Sequence, residues 1–393
     1  MITVAEADNI LAGLPLVEGT ETVALEKAVG RVLAQTVTAD RDGPPYDRVA
    51  MDGFAILSHD RAAVWSVRGL QAAGKPPMDR TGLATAVEVA TGAILPTGCD
   101  AVIPYEHTLR EGSTITLAPD RQEPVAWAHV HRRGSDYLQG AVLLSPGIRL
   151  KSPHLHSLAS IGVDPVTVTR RAVWALAATG DELVEIRDEP QAWQIRRSNA
   201  AAIAGEASAW GLNTREQAVL PDQRERLRHG LERLLPGLDV LVLTGGVSAG
   251  VLDLVPGVLS EMGVKTLFHK IAQRPGKPLW CGRFPGTEGQ PGTLVFGLPG
   301  NPVSSLFSFR RYVLPWLLKA EGRPLTERHV SASGLATPPP GLTVFLPWSE
   351  SGALEWKGSG DFLALSASTG FIEVTGDSGS LTKPRYHGWG GEP

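Results

Sequence analysis

The sequence predicts a multidomain chain of α/β plus β class, organised around a central doubly wound α/β domain. Three observations predict it. The chain has 393 residues, 42% hydrophobic and 20% charged, enough for two to four domains with sizeable cores. From residue 172 to 320, apolar β-rich runs alternate with helical patterns, as a layered α/β sheet requires. From Phe54 to about Ala118, and again from Leu342, the patterns are short, β-like and broken by Gly and Pro. These read as a β-rich module and a small β-barrel-like module.

Taken in order, Thr3 and Glu6 have capping-box spacing ahead of Ile10 and Leu11. Leu25, Ala28, Val32 and Leu33 recur at helical spacing, so a second helix is expected over 23–35. Pro44 and Pro45 exclude helix and stiffen the chain. Asp42, Asp47 and Asp52 share the loop that follows, which by itself reads as a solvated acidic segment. Strand patterns cover 64–67, 87–90, 101–105 and 113–117, with a turn-rich loop over 91–100. Residues 130–137, VHRRGSDY, form a basic patch ending near an aspartate. A short helix is expected over 155–161 and a strand over 166–169.

The central domain begins near Arg171. Residues 172–177 read as a buried strand that ends at Thr179-Gly180-Asp181-Glu182. The adjacent acids suit a metal or a ligand, or complement a helix dipole. Ser198 is placed to cap a helix over 199–210, with Gly211 at its stop. A weak strand covers 214–219. Pro221-Asp222 opens a charged helix that runs to Leu235 and carries Leu227, Leu231 and Leu234 on one side. A last helix over 303–320 is interrupted near Pro315. In the tail, 354–357 and 370–374 read as strands and 387–393 as a frayed end.

The chemistry concentrates after three strands. LDVLVLTGGVSAGVLD (238–253) is a buried, parallel-type strand closed by Gly245 and Gly246, with Ser248, Gly250 and Asp253 close behind. Paired glycines take positive φ and expose N–H groups. A helix starting near Leu252 would turn its positive end to the same loop, which suits a phosphate. Asp253 beside an anion makes sense if a divalent cation lies between them. Residues 293–305, TLVFGLPGNPVSS, repeat the strand, glycine break and helix. Between them, 268–278, FHKIAQRPGKP, is a strand leading into a basic loop. Three such strand ends fit one edge of an open sheet, where ligands bind.

Composition excludes other classes. A net charge of −4 argues against nucleic acid as the main partner. Cys99 and Cys281 match neither a disulfide framework nor a zinc spacing and point to a reducing compartment. The N-terminus lacks a signal-peptide pattern and no apolar run reaches membrane-spanning length. A cytoplasmic location away from membranes is therefore expected.

Seven motifs in order carry a resemblance: PPYDRVAMDGFA (44–55), TGAILPTGCDAVI (91–103), RRGSD (132–136), TGDEL (179–183), LTGGVSAGVLD (243–253), FHKIAQRPGKP (268–278) and GLPGNPVSS (297–305). Together they resemble the MoeA family, the molybdopterin molybdenumtransferases related to the gephyrin E domain. The resemblance runs from Val4 to about Val374 and is weakest after Gly322. It implies a split, elongated N-terminal domain (1–45 and 140–170), an inserted β-rich domain (46–139), a central α/β molybdopterin-binding domain (171–322) and a C-terminal β-barrel (323–393). It implies a homodimer whose active cleft is shared between subunits, with the molybdopterin adenylyltransferase as a further partner. The implied reaction inserts molybdate into adenylylated molybdopterin, with Mg2+-dependent cleavage of the pyrophosphate link and release of AMP.

Carried over by position, Gly245, Gly246, Ser248 and Gly250 would cradle a phosphate. Asp253, Glu182 and Asp181 would hold the metal. Asp52, Thr91, Asp100 and Asp136 would line the cleft from the inserted domain. Lys277, with Arg274 and Pro278 beside it, would meet the oxyanion. Pro299, Gly300, Asn301, Pro302 and Ser304 would shape the pocket, and Ser359 belongs to a candidate anion loop. The working groups would be Asp52, Glu182, Asp253 and Lys277. Three departures bear on activity. Arg274 stands where members carry lysine, Arg197 where they carry aspartate, and Pro347 where they carry an arginine. Arg197 and Pro347 motivate a second reading, a non-catalytic relative that binds molybdopterin as a scaffold. A third, the adenylyltransferase itself, is opposed by the inserted β module and by Val247-Ser248 after the glycine pair.

Overall fold

The computed structural model describes residues 1–247, 254–286, 292–376 and 381–390. The chain forms two compact units. One comprises Met1–Glu21, Gly30–Val32 and Val168–Pro393, and the other Thr22–Val29 and Leu33–Thr167.

The second unit is built on a six-stranded sheet. In spatial order its strands are Ala101–Pro104, Gly53–Ile56, Thr85–Val89, Trp65–Gln71, Thr114–Leu117 and Thr108–Glu111. Both faces are covered. Phe54 and Ile56 join one buried cluster with Trp65, Ile103 and Ile115, while Ala55 points the other way into a cluster with Val49, Val87 and Val102. That alternation is the two-residue period of a strand, and burial on both sides explains why Gly53–Ile56 and Ala101–Pro104 are apolar throughout. Beside this sheet, two separated passes of chain pair with each other. Val37–Thr38 runs antiparallel to Val142–Leu144, and Arg48–Val49 antiparallel to Val130–His131. Between these pairs, the amides of Asp136 and Tyr137 donate to the carbonyl of Gly43.

The first unit holds a six-stranded sheet in the order Glu216–Leu220, Trp174–Thr179, Val240–Thr244, Leu294–Leu298, Trp280–Arg283, Lys265–His269. The first four are parallel, and Trp280–Arg283 is antiparallel to both neighbours. Helices cover both faces. Leu227, Leu231 and Leu234 of the helix Arg224–Leu234, with Val255, Val258 and Leu259 of Val255–Glu261, bury Ala175, Leu241 and Val295. The helices Ser198–Ala209, Pro302–Ser308 and Leu314–Ala320, with Val4–Ala12 at the margin, bury Leu176, Val242 and Phe296. A doubly wound layer structure was expected here, and the reversed strand is an addition to it.

A third sheet follows the order Gln273–Arg274, Thr343–Ser349, Gly370–Val374, Arg385–Gly388, Arg328–His329, with Gly352–Ala353 paired to Thr343–Ser349. Its first strand comes from the central segment. Phe345 and Phe371 meet Phe307 of the Pro302–Ser308 helix, the Phe307 and Phe371 rings stacking at 4.1 Å. Arg311 is buried between Asp8 and Glu373 and so joins the first helix, the central helices and this sheet.

Several expectations need correction. No helix spans 23–35: there is a strand Thr20–Val23 and one 3-10 turn, Leu25–Lys27, before Gly30 turns left-handed at φ 79°. The β-branched Val23, Val29 and Val32 cost more in a helix than their spacing recovers. Ser198 is the first residue of its helix, and Arg197 occupies the cap. The short helix is Ser152–Ser160, three residues early. Residues 354–357 are not a strand, because Asp361 captures the Lys357 amide in a turn that starts the helix Phe362–Ala367. The tail is not frayed at 387. His387 is buried in a strand, its ring stacked 4.6 Å from Phe371, and Trp389 bonds Ser368. Residues 391–393 lie outside the described residues. The interruption near Pro315 is a π turn, Phe309–Val313, just before that proline.

Candidate functional site

Three strands end on one line. Ala178 pairs with Thr244, and Thr244 with Leu298. His269 pairs with Trp280, and Trp280 with Gly297. Because two antiparallel steps separate Lys265–His269 from Leu294–Leu298, both strands point the same way. The glycine pair, the Pro-Gly-Asn-Pro loop and the basic loop therefore leave the same edge.

The glycine pair is required by close approach. Gly245 and Gly246 have φ of 90° and 62°. A Cβ on Gly245 would lie 2.5 Å from the Thr179 carbonyl oxygen, and one on Gly246 2.8 Å from Thr179 Oγ1. The Gly245 amide donates to Leu298 O at 3.1 Å. His269 Nε2 donates to Val247 O at 3.2 Å, tying the basic segment to the end of the glycine turn. Ser248, Gly250, Asp253 and the helix start near Leu252 lie outside the described residues; the helix that follows is Val255–Glu261.

A cavity of about 640 Å³ opens at this edge. Its lining includes Thr179, Glu182, Thr244, Gly245, Gly300 and Pro302. Glu182 is exposed, and its carboxylate folds back over Gly180, whose φ is 147°. The adjacent acid behaves differently. Asp181 accepts from the Asp222 amide at 3.1 Å, so it fixes the turn before the next helix rather than facing the cavity. Among the described residues, Glu182 is the single carboxylate in the lining. No group of three His, Cys, Asp or Glu side chains with metal-binding geometry occurs among the described residues.

Ser198, Asn199 and Ala200 also line the cavity, so the first turn of the Ser198–Ala209 helix faces it with its unpaired N–H groups. Asn199 Nδ2 donates to Gly300 O at 2.6 Å. Gly300 comes within 3.8 Å of Gly245 Cα from the position of an added Cβ, so the two glycine loops are neighbours. Asn301 precedes the Pro302–Ser308 helix and, instead of capping it with its side chain, donates from Nδ2 to Ser359 Oγ at 2.9 Å, while Val303 N donates to Ser359 O. The sequence motifs around Gly245, Gly300 and Ser359 thus meet.

Other predicted residues sit apart. Pro299 and Ser304 are buried and absent from the lining. Arg274 and Lys277 are exposed and Pro278 half-buried in the turn before Trp280, and none of the three lines the cavity. Arg197, expected to reverse the local charge, by contrast lines the cavity, and its guanidinium pairs with Glu185 at 2.8 Å. Pro347 is buried within its strand opposite Phe371, so that position offers no cation.

In the other unit, Asp52 Oδ1 accepts from the Thr91 amide at 2.6 Å. That backbone bond holds the exposed Asp52 carboxyl below its ordinary range. Asp100 accepts from Ser58 N and Ser58 Oγ, so it closes a turn. Asp136 accepts from His131 Nε2 at 2.8 Å, and Arg48 reaches His131 Nδ1 at 3.0 Å.

Sequence reading missed Asn199, Thr179, His131 and Arg48 as functional candidates. For Asn199 the signal was present: a polar residue opening a helix at the carboxyl edge of a parallel sheet. For Thr179 and His131 it was not, because only the fold brings Gly245 over Thr179 and Arg48 beside His131.

Residues 2–162 match the family model described as MoeA N-terminal region (domain I and II), and residues 175–319 match the one described as "Probable molybdopterin binding domain". A protein named molybdopterin molybdenumtransferase from Synechocystis sp. is 34% identical over 387 residues, covering 95% of this chain and 95% of its own. A protein of the same name from Haemophilus influenzae is 32% identical over 341 residues, covering 86% and 82%. The fold is similar to that of the molybdopterin biosynthesis MoeA protein from Pyrococcus horikoshii, with a TM-score of 0.80, 28% identity and 100% of each chain covered.

Proposed function

The chain belongs to the molybdopterin molybdenumtransferases of molybdenum cofactor biosynthesis, and from that premise we propose that it inserts molybdate into adenylylated molybdopterin and releases AMP. The observation that carries the substrate side is the convergence of Gly245, Gly300 and the first turn of the Ser198–Ala209 helix on one cavity. Open N–H groups with few carboxylates suit the phosphates of a dinucleotide-like substrate. The volume, about 640 Å³, lies in the range of small-molecule sites.

In this reading the glycine turn and the helix start bind the pyrophosphate and fix its orientation. Water attacks one phosphorus, the bridging P–O bond breaks, and AMP leaves with the electron pair. The two dithiolene sulfurs then bond to molybdenum, and one molybdate oxygen departs as water with the two dithiol protons. Glu182 fits a Mg2+ site of the kind that takes one or two carboxylates and completes its shell with phosphate oxygens and water. Such an ion would offset phosphate charge as the link breaks. Asp253 is its second proposed carboxylate. Lys277 and Arg274 act on the incoming oxyanion. Asp52, Thr91 and Asp136 act from the neighbouring subunit of a homodimer, and the adenylyltransferase hands over the substrate. We read the C-terminal sheet as the family's barrel module. Among the described residues no helix is long and apolar enough to cross a membrane.

The Arg197–Glu185 pair weakens the scaffold reading, since the charge reversal that motivated it is compensated. The match of residues 2–162 weighs against the adenylyltransferase. The test is direct. Purified protein is given adenylylated molybdopterin, molybdate and Mg2+, and AMP and active cofactor are measured. AMP release matched by cofactor formation is expected; substrate bound and returned intact would overturn the proposal.

A further inference from the structure

We infer that His131 is a positioning residue for Asp136, locked in one tautomer by Arg48. The inference rests on the reading above, in which Asp136 belongs to the working surface.

The argument starts from register. Arg48 and His131 are directly opposed in the antiparallel pair of Arg48–Val49 with Val130–His131. The Arg48 guanidinium reaches His131 Nδ1 at 3.0 Å. Arginine has only donors and keeps its proton, so Nδ1 must accept. A neutral imidazole then carries its one N–H on Nε2. That nitrogen lies 2.8 Å from Asp136 Oδ1, an acceptor when ionised. The chain of bonds therefore has one direction, from guanidinium to imidazole to carboxylate. With Arg48 at Nδ1 and Asp136 at Nε2, His131 is placed to orient Asp136.

The backbone under Asp136 does not depend on this chain. Its amide donates to Gly43 O at 2.8 Å, Gly134 N donates to Pro44 O, and Gly134 takes the positive φ of 70° that the turn requires. The His131 and Asp136 side chains are 35% and 51% exposed, so water screens the pair and its contribution to folding is small. Losing the imidazole should free the carboxylate to rotate while the turn persists.

The experiment uses the full chain, with adenylylated molybdopterin, molybdate and Mg2+, and compares wild type, Asp136→Asn, His131→Leu and His131→Gln. Glutamine can donate to Asp136 through its amide nitrogen and accept from Arg48 through its oxygen. We expect His131→Leu to lower kcat about tenfold, the scale seen when an orienting partner is lost, with KM little changed. His131→Gln should return to within about threefold of wild type, short of the roughly tenfold loss expected when the orienting partner is missing. Nitrogen-15 spectra of wild type should show His131 protonated at Nε2 and bare at Nδ1, and Arg48→Leu should mix the tautomers. Equal damage in His131→Leu and His131→Gln, or none in either while Asp136→Asn is impaired, overturns the positioning role. So does an unimpaired Asp136→Asn. A proton on Nδ1 overturns the lock. Inactive wild-type protein would instead sink the functional reading, and His131's role with it.

Discussion

Asn199 Nδ2 donates to the carbonyl oxygen of Gly300 at 2.6 Å. This bond joins the first turn of one helix to the loop that opens another, and both border the same cavity. Asn199→Ala should therefore act locally. Losing one neutral hydrogen bond at a wet edge costs about 1 kcal/mol. We expect a small fall in the denaturation midpoint and a several-fold rise in KM for the adenylylated substrate. Unchanged KM with the same stability loss would mean that the loop's position does not affect binding.

Glu182 and Asp181 are adjacent in sequence but separated in role. Glu182 lines the cavity, whereas Asp181 holds the Asp222 amide. Glu182→Gln should leave the melting temperature near wild type and reduce AMP release, most strongly at limiting Mg2+. Asp181→Asn should keep activity and loosen the turn before Arg224–Leu234, because an amide oxygen still accepts but without charge. If both variants lose activity equally, the division between them is wrong.

The glycines at the edge make a sharper contrast. At Gly245 and Gly246 an added methyl meets Thr179 at 2.5 Å and 2.8 Å, and the backbone is left-handed. Alanine there should cost about 1–3 kcal/mol from strain, and any turn that survives would present its N–H groups wrongly. At Gly300 the nearest atom is 3.8 Å away and φ is ordinary. Gly300→Ala should fold like wild type. Unfolding by urea, with AMP release measured on each protein, separates the two cases.

Much of this was legible in the residues. Apolar strands bounded by glycine at 240–246 and 294–300 announce a sheet edge, since burial on both faces leaves an unbroken apolar run. The Thr3–Glu6 box formed as its spacing required. What was illegible depends on contacts distant in sequence. Nothing near Asp100 says that Ser58 consumes its carboxylate, and nothing near Arg197 says that Glu185 pairs with it. Helical spacing over 23–35 misled because Gly30 breaks it at a left-handed turn. The tail misled because polar and glycine-rich residues hide two rings, His387 stacked on Phe371 and Trp389 tilted against it.

The buried end of that tail also sets a pH dependence. Burial pushes the His387 imidazole down from its ordinary value to about 4, despite the bond from Nε2 to Glu373. Burial would raise the Glu373 carboxyl, but the Arg311 charge and the bonds from His387 and Arg311 hold it well below its usual range. Both groups bind fewer protons folded than unfolded in acid, so stability rises with pH across their titrations. The His387 contribution is present above its unfolded pKa of about 6.5 and is lost as pH falls toward about 4. The Glu373 contribution is lost only lower, below the ordinary carboxylate pKa. His387→Gln keeps a donor for Glu373 but cannot titrate. Between pH 7.5 and pH 5, wild type should lose stability on the order of 1–2 kcal/mol more than this variant. Urea midpoints at the two pH values measure the difference, and parallel losses in both proteins would show that His387 is not the titrating group.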